Sequence, residues 1–212
     1  MARTESNTEL ALGATCPAFE LDCVLCHKAL GRDDIFGGPD DIYQRKGLLV
    51  AFISVHCPFV MHMEEAFTAL MKTYAKDIAT VCICSNDQVA FPEDGPDGMR
   101  EQGHRLGWDN GDGCTIPYLH DPSQEVAREF HAACTPDLYL FDADYKLVYH
   151  AQFDRTRPYR ESDAARGVEK HPEIHQPAHG ADLEAAIKNL IAGNPPLEHQ
   201  VPSLGCNIKW KS

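Results

Sequence analysis

Cys57 closes an apolar, β-rich run, Leu48 to Val55, and is followed by Pro58 and by apolar residues at helical spacing: Phe59, Met63, Phe67, Leu70 and Met71. Proline suits the first position of a helix, where its missing N–H costs nothing. Cys57 therefore falls where a strand ends and a helix begins. Free backbone N–H groups and the positive end of the helix dipole gather at such a place. They favour the thiolate, the nucleophilic form of cysteine. The chemistry expected is attack on a peroxide oxygen or on a disulfide sulfur. His56, if protonated, is placed to support the thiolate. Among the nine cysteines, Cys134 before Thr135-Pro136 and Cys206 in the terminal LGCNIKWK are the candidates for pairing with Cys57.

A second group of residues carries its own pattern. Cys23-Val24-Leu25-Cys26-His27 matches the C-x-x-C-H of c-type haem attachment, a dithiol redox pair, or half of a zinc site. No second C-x-x-C completes a zinc site, and haem attachment needs export, so a local structural pair is the expectation. Cys82 and Cys84 lie in IATVCICS, a core strand in which cysteine acts as a small hydrophobe. Cys16 and Cys114 fall in loops. His171, His175 and His179 recur every fourth residue, but Pro172 and Pro177 forbid a regular helix there, so a solvated loop is expected rather than a metal site. The acidic stretch Pro92 to Asp97 is too sparse for a calcium loop.

These residues need elements to hold them. A chain of 212 residues with 43% apolar and 24% charged residues is expected to form one domain, residues 1–212, with a loose N-terminal arm (Met1 to Thr15) and a C-terminal tail. The formal charge of −13, spread along the chain, argues against nucleic acid and anionic membranes as partners. No apolar run is long enough to span a bilayer. The N-terminus lacks a cationic segment followed by an apolar one, which points to the cytosol, where thiols stay reduced.

Strands are expected at Ala18 to Asp22, Leu48 to Val55, Thr80 to Ser85 and Ile116 to Leu119, and in a hairpin of Asp137 to Asp142 with Lys146 to Phe153. Helices are expected after Cys57, at Met99 to Leu106, at Ser123 to His131 with an N-cap at Asp121 or Ser123, and at Ala181 to Ala192. Gly31 to Lys46 reads as a polar connection, as do Asn86 to Gly98 and Trp108 to Gly113. Arg155 to His179 reads as an irregular excursion. The order β–α–β–α–β–α–β–β–α favours an α/β layer fold with helices on both faces of a mixed sheet.

The order of elements, the cysteine at the strand-to-helix turn and the Thr-Pro before the hairpin resemble the thioredoxin fold. More closely, FISVHCPFV, CSNDQVAFPEDGPDGMR, IPYLHDPSQEVAREFHAACTPDLYLFD, KLVYHAQFDRTRP and PSLGCNIKW resemble the redoxin-type thioredoxin family, relatives of the alkyl-hydroperoxide-reductase/thiol-specific-antioxidant group. These stretches cover roughly residues 47 to 160 and the C-terminus. The resemblance makes Cys57 the nucleophile and Pro136 the cis-proline facing it, with Thr135 presenting backbone groups to a substrate. It also marks two departures. The second cysteine of the thioredoxin pair is Val60 here, and the cysteine expected three residues before the nucleophile is Ser54.

Ser54-Val55-His56-Cys57 resembles the [Ser/Thr]-x-x-Cys of peroxiredoxins, whose hydroxyl orients the peroxide. The proline expected seven residues earlier is Val50, and Arg128 or Arg157 would have to supply the guanidinium. Together these features imply a cytosolic thiol oxidoreductase without metal or organic cofactor, acting on a peroxide or a disulfide and renewed by a thiol reductant. Cys206 is the first choice to resolve Cys57, because a terminal segment can move, and Cys134 is the second. The alternative is a binding or scaffold protein that kept the fold and lost turnover. A homodimer is common for this fold.

Overall fold

The computed structural model describes residues 3–37, 44–109, 111 and 113–211. Parts of the expected arm (1–2), of the Gly31 to Lys46 connection (38–43) and of the Trp108 to Gly113 loop (110 and 112) lie outside the described residues, as does residue 212.

Two strands form the centre. In β4 (Gly47–Phe52) and β5 (Ile78–Cys84) every residue is buried. That is why they read as continuous apolar runs rather than alternating ones: a strand covered on both faces has no polar side. They pair in parallel, joined by α2 (Pro58–Thr73), and β5 pairs in parallel with β6 (Tyr118–His120) through α3 (Pro96–Leu106). Right-handed crossovers in one direction put α2 and α3 on one face. The chain then returns past β4 through the short α4 (Glu125–Glu129) on the other face, to β8 (Asp137–Asp142) and β9 (Leu147–His150). At the far edge, β2 (Glu20–Cys23) joins β6, and β3 (Ala29–Gly31) joins β2 before the one-turn α1 (Arg32–Phe36). The sheet order is β3-β2-β6-β5-β4-β8-β9. The fold is thioredoxin-like, a mixed central sheet flanked by helices on both faces.

Several expected boundaries move. The Ser123 to His131 helix shrinks to α4, because His131 adopts a left-handed backbone (φ 53°) and stops it. Its N-cap is Gln124, itself left-handed. Asp121 and Ser123 still serve that end, accepting the N–H of Ala127 and of Glu125. The second hairpin strand stops at His150 because Gln152 N–H turns to the carbonyl of Val201. The excursion after Arg155 is irregular apart from α5 (Glu161–Ala165), and the chain re-enters the layers through α6 (Ala181–Ile191). Tyr74, the C-cap of α2, donates to Glu184 of α6 and ties the two helices together.

The ends of the chain are the larger correction. Within the expected loose arm, Arg3–Glu5 form β1, which pairs antiparallel with β10 (Leu204–Asn207). β10 in turn pairs with β7 (Cys134–Thr135), giving a second, three-stranded sheet. Beyond β10, Lys209 is held at both backbone groups: its N–H donates to Asn86 Oδ1 and its carbonyl accepts from Asp87 N–H. Short polar segments carry little periodicity, so this pairing leaves no mark in the sequence.

Candidate functional site

Cys57 is the N-cap of α2, with Pro58 at the first helical position, and its carbonyl accepts the first helical bond from Met61. The turn that delivers it is fixed by Asp94, which is fully buried at the end of a one-turn 3₁₀ helix, Pro92–Asp94. One carboxylate oxygen accepts the N–H groups of Val55 (2.8 Å) and His56 (3.3 Å). The other accepts Asn86 Nδ2 at 2.7 Å and lies 2.6 Å from His56 Nδ1. That last contact is an ion pair off the line of a directed hydrogen bond. Asp94 nevertheless raises the pKa of His56 above its ordinary value, against the opposing effect of burial. The imidazole also stacks on Phe91, with ring centres 5.1 Å apart. His56 thus braces the turn and turns its ring to Asp94 rather than serving the thiol.

The sulfur of Cys57 meets the segment before the hairpin. The Thr135-Pro136 bond is cis, and Cys57 Sγ lies 3.0 Å from the Thr135 carbonyl, to which the thiol donates. β10 crosses at the same point. Cys206 pairs with Thr135 across β7 and β10, which places its thiol beside Cys57, close enough for each to shift the pKa of the other. Gly205 is what allows this approach, because a Cβ there would collide with the Thr135 carbonyl oxygen. Both thiols are closed to solvent, at 0% exposure for Cys57 and 3% for Cys206.

Burial is the largest single influence on Cys57 and disfavours the thiolate. Hydrogen bonds outweigh it: the Cys206 thiol, the Thr135 hydroxyl and the N–H groups of Val60 and Cys206 together lower the Cys57 pKa to about 6. Val60 N–H approaches the sulfur without closing a geometric capping bond. The linked proton stays on Cys206, whose pKa is pushed up, chiefly by its bond to Cys57. A thiol of lowered pKa beside one that keeps its proton is an arrangement in which the first sulfur can attack and the second can exchange with it.

The remaining candidates find other roles. Ser54 is fully buried, and its Oγ lies 3.3 Å from Thr135 Oγ1, so it reaches Cys57 only through the Thr135 hydroxyl. Cys134 donates to the Pro136 carbonyl at 3.5 Å, and burial pushes its pKa up. Arg157 is held by the carbonyls of Asp154 and Thr156 and by Gln152, and borders a cavity of about 20 Å³ with Pro136 and Leu204. Arg128 lies over the Trp210 ring, 4.8 Å from its centre. Among the three histidines, His175 Nδ1 accepts His171 N–H while His179 turns to Asp154, so they share no ligand position. Cys23 is 1% exposed and turned to Cys114, a layout unsuited to haem attachment.

Sequence reasoning misses Asp94. It stands among other acids in NDQVAFPEDGPDG, and only tertiary packing selects the one that is buried. A buried carboxylate with several donors is a fixed part of the site.

Comparison with known proteins agrees with this geometry. The AhpC/TSA family model matches residues 12–150. No curated protein matches at a significant level. An uncharacterized conserved protein from Geobacillus kaustophilus is 36% identical, covering 100% of this chain and 97% of the other, with a TM-score of 0.82. A hypothetical protein from Sinorhizobium meliloti 1021 is 35% identical, covering 99% of both chains, with a TM-score of 0.80. The peroxidoxin BcpB of Mycobacterium tuberculosis, 16% identical, covers 85% of this chain and 96% of the other at a TM-score of 0.52, a likeness of fold. The chain belongs to the AhpC/TSA family, as a redoxin-type protein of thioredoxin-like fold, and its function is of the thiol-based redox kind.

Proposed function

We propose that this member of the AhpC/TSA family is a dithiol peroxidase in which Cys57 attacks and Cys206 resolves. One observation carries the reading: β10 pairs Cys206 with Thr135, whose carbonyl lies 3.0 Å from the Cys57 sulfur, so the two thiols are neighbours. The Cys57 thiolate attacks one oxygen of a hydroperoxide, the O–O bond breaks, and the departing alkoxide takes a proton to leave as the alcohol. Cys57 is then a sulfenic acid. The Cys206 sulfur attacks it, hydroxide leaves with the Cys206 proton as water, and the Cys57–Cys206 disulfide forms. A thiol reductant returns both sulfurs to the starting state, which suits a reducing compartment such as the cytosol.

A small oxidant is favoured over a protein disulfide for a physical reason. The backbone of Thr135, which the resemblance assigns to substrate, is already paired with β10. An extended peptide would have to displace that strand, whereas a hydroperoxide of a few atoms does not. Ser54, through Thr135, acts as a positioning residue, and His56 acts through the turn.

The test is a thiol count and disulfide map after one equivalent of hydrogen peroxide is added to the reduced protein. The expected result is loss of two thiols, a Cys57–Cys206 linkage, and a sulfenic acid trapped on Cys57 in Cys206→Ser. A reaction no faster than that of free cysteine would sink the proposal. It would support the scaffold alternative, which draws on the complete burial of Cys57.

A further inference from the structure

At the opposite end of the sheet three sulfurs converge. Cys23 ends β2 and pairs with Leu119 near the start of β6, and Cys114 lies in the loop that leads into β6. Cys26 completes the turn that leaves β2. The three Sγ atoms lie within 4.8 Å of one another, with Cys23 and Cys114 at 3.8 Å. Among the described residues this is the only such group of metal-ligating side chains.

The geometry points to a binding site for one thiophilic d¹⁰ cation, Zn²⁺ or Cu⁺, held by Cys23, Cys26 and Cys114. Three features support it beyond proximity. First, the C-x-x-C spacing is that of metal-binding turns. The turn brings the N–H groups of Leu25 and Cys26, with that of Tyr118, near the Cys23 sulfur. N–H groups so placed can orient a thiolate ligand. Second, the distances suit one shared ion: sulfurs about 2.3 Å from a tetrahedral zinc stand about 3.8 Å apart. A disulfide would need only two of the three sulfurs, and would leave the third without purpose.

Third, the surroundings fit both the charge and the open position. Three thiolates around a divalent ion carry a net negative charge. Cys26 and Cys114 border a cavity of about 330 Å³ that is also lined by three cations, Lys28, Arg45 and Lys72, against one acid, Asp34. A three-sulfur set satisfies trigonal Cu⁺, or leaves zinc a fourth position opening toward that cavity. The turn is anchored from behind: Leu25 packs on Gly103 of α3, and Val24 N–H donates to the Tyr118 carbonyl. Soft sulfur donors select these ions over magnesium or calcium.

The site can be tested apart from peroxide chemistry, because it shares no residue with Cys57 and Cys206. Reduced, chelator-treated full-length protein is titrated with Co²⁺, then Zn²⁺, and separately under anaerobic conditions with Cu⁺ against a competing ligand. One equivalent should bind per chain, Co²⁺ should give a sulfur-to-cobalt charge-transfer band, and Zn²⁺ should abolish that band. Cys114→Ser should weaken binding at least a hundredfold, with the fold checked by circular dichroism. The double variant Cys57→Ser/Cys206→Ser should bind like wild type. The proposal is overturned if neither Zn²⁺ nor Cu⁺ is retained against the competitor, or if Cys114→Ser binds unchanged. Loss of binding in the double variant would also overturn it, by moving the ion to the other thiols.

Discussion

The two thiol groups of this protein occupy opposite ends of one sheet and differ in what surrounds the sulfur. Cys57 and Cys206 lie at the C-terminal ends of the parallel strands, beneath β10, against a helix N-terminus, with no opening to solvent. Cys23, Cys26 and Cys114 lie toward the N-terminal end of β6, with Cys26 and Cys114 half-buried beside a large cavity lined by basic residues. A closed pair in which one thiol keeps its proton suits electron transfer. An open trio of sulfurs within 4.8 Å of one another suits an ion. The strand cysteines between them show the opposite case: burial pushes Cys82 and Cys84 far above the ordinary thiol value, and at Cys84 the Asp94 and Asp121 carboxylates add to it. On the two proposals made above, identical side chains divide into a redox pair, a metal cradle and core residues by their neighbours.

The sharpest break of that division is Cys57→Ser. Peroxide turnover should fall by about 10³-fold or more, as removal of an attacking nucleophile does, while metal uptake at the far end stays at one equivalent. Steady-state peroxide consumption alongside cobalt titration checks both halves, and parallel loss would mean the two regions are one system.

Gly205→Ala attacks the closed pair without touching a sulfur. The new Cβ would collide with the Thr135 carbonyl oxygen and lie 2.6 Å from its carbon, so β10 must move off β7. A displacement of about 1 Å between reacting atoms costs on the order of 10²-fold. Disulfide closure after peroxide should slow accordingly, while the first step on Cys57 continues and sulfenic acid accumulates. Rapid-quench mass analysis would show it, and unchanged closure would mean that Cys206 is not the resolving thiol.

Asp94→Ala tests the frame of the turn. It removes a fully buried carboxylate from two backbone N–H groups, Asn86 and His56. Leaving such partners unpaired should cost about 3 kcal/mol, measured by denaturant unfolding. The pH dependence carries a sign. Asp94 raises the His56 pKa, so this stabilisation is fully present below the unfolded histidine value of about 6.5 and is lost as pH rises through the higher folded value. In the variant that slope should vanish.

A milder contrast lies in titration. The Cys57 pKa is lowered to about 6, so its thiolate persists down to that pH and disappears below it. A thiol at the ordinary value of about 8.5 is mostly protonated at neutral pH. The peroxide rate constant should therefore rise through pH 6 and be flat by pH 8. The difference in thiolate absorbance between wild type and Cys57→Ser should show this step.

Much of this is legible in the sequence, for physical reasons that differ by region. The strand-to-helix turn at Cys57 shows itself because a fully buried strand and an amphipathic helix each have a period, and Pro58 marks the junction. The order of elements from β4 to α6 comes from the same periodicities. The pairing of β1 with β10 does not, since strands of three and four residues are too short to carry a period. The sequence offers Cys206 for the mobility of a terminal segment, yet it stands beside Cys57 on a strand paired along both edges. Cys114 escapes notice because its partners lie 91 and 88 residues away in sequence, and a loop cysteine has no pattern of its own. Local signals reveal elements, whereas sites assembled by topology need the fold.

The smallest perturbation is Gly103→Ala, which should move only the open trio. Gly103 sits inside α3, where alanine gains up to about 1 kcal/mol of helix propensity. Its Cβ would lie 2.8 Å from Leu25 Cδ2, and Leu25 separates Cys23 from Cys26 by its place in the turn. Overpacking of this kind costs about 1–3 kcal/mol, so the net loss of stability should stay below about 2 kcal/mol. The strain goes instead into the turn that aligns the two sulfurs. Metal affinity should fall several-fold while the peroxide rate stays at the wild-type value, since α3 supplies no hydrogen bond to Cys57. Competition for cobalt, set beside a peroxide assay on the same sample, would show this. Loss of peroxide activity without loss of metal would reverse the assignment of the two ends.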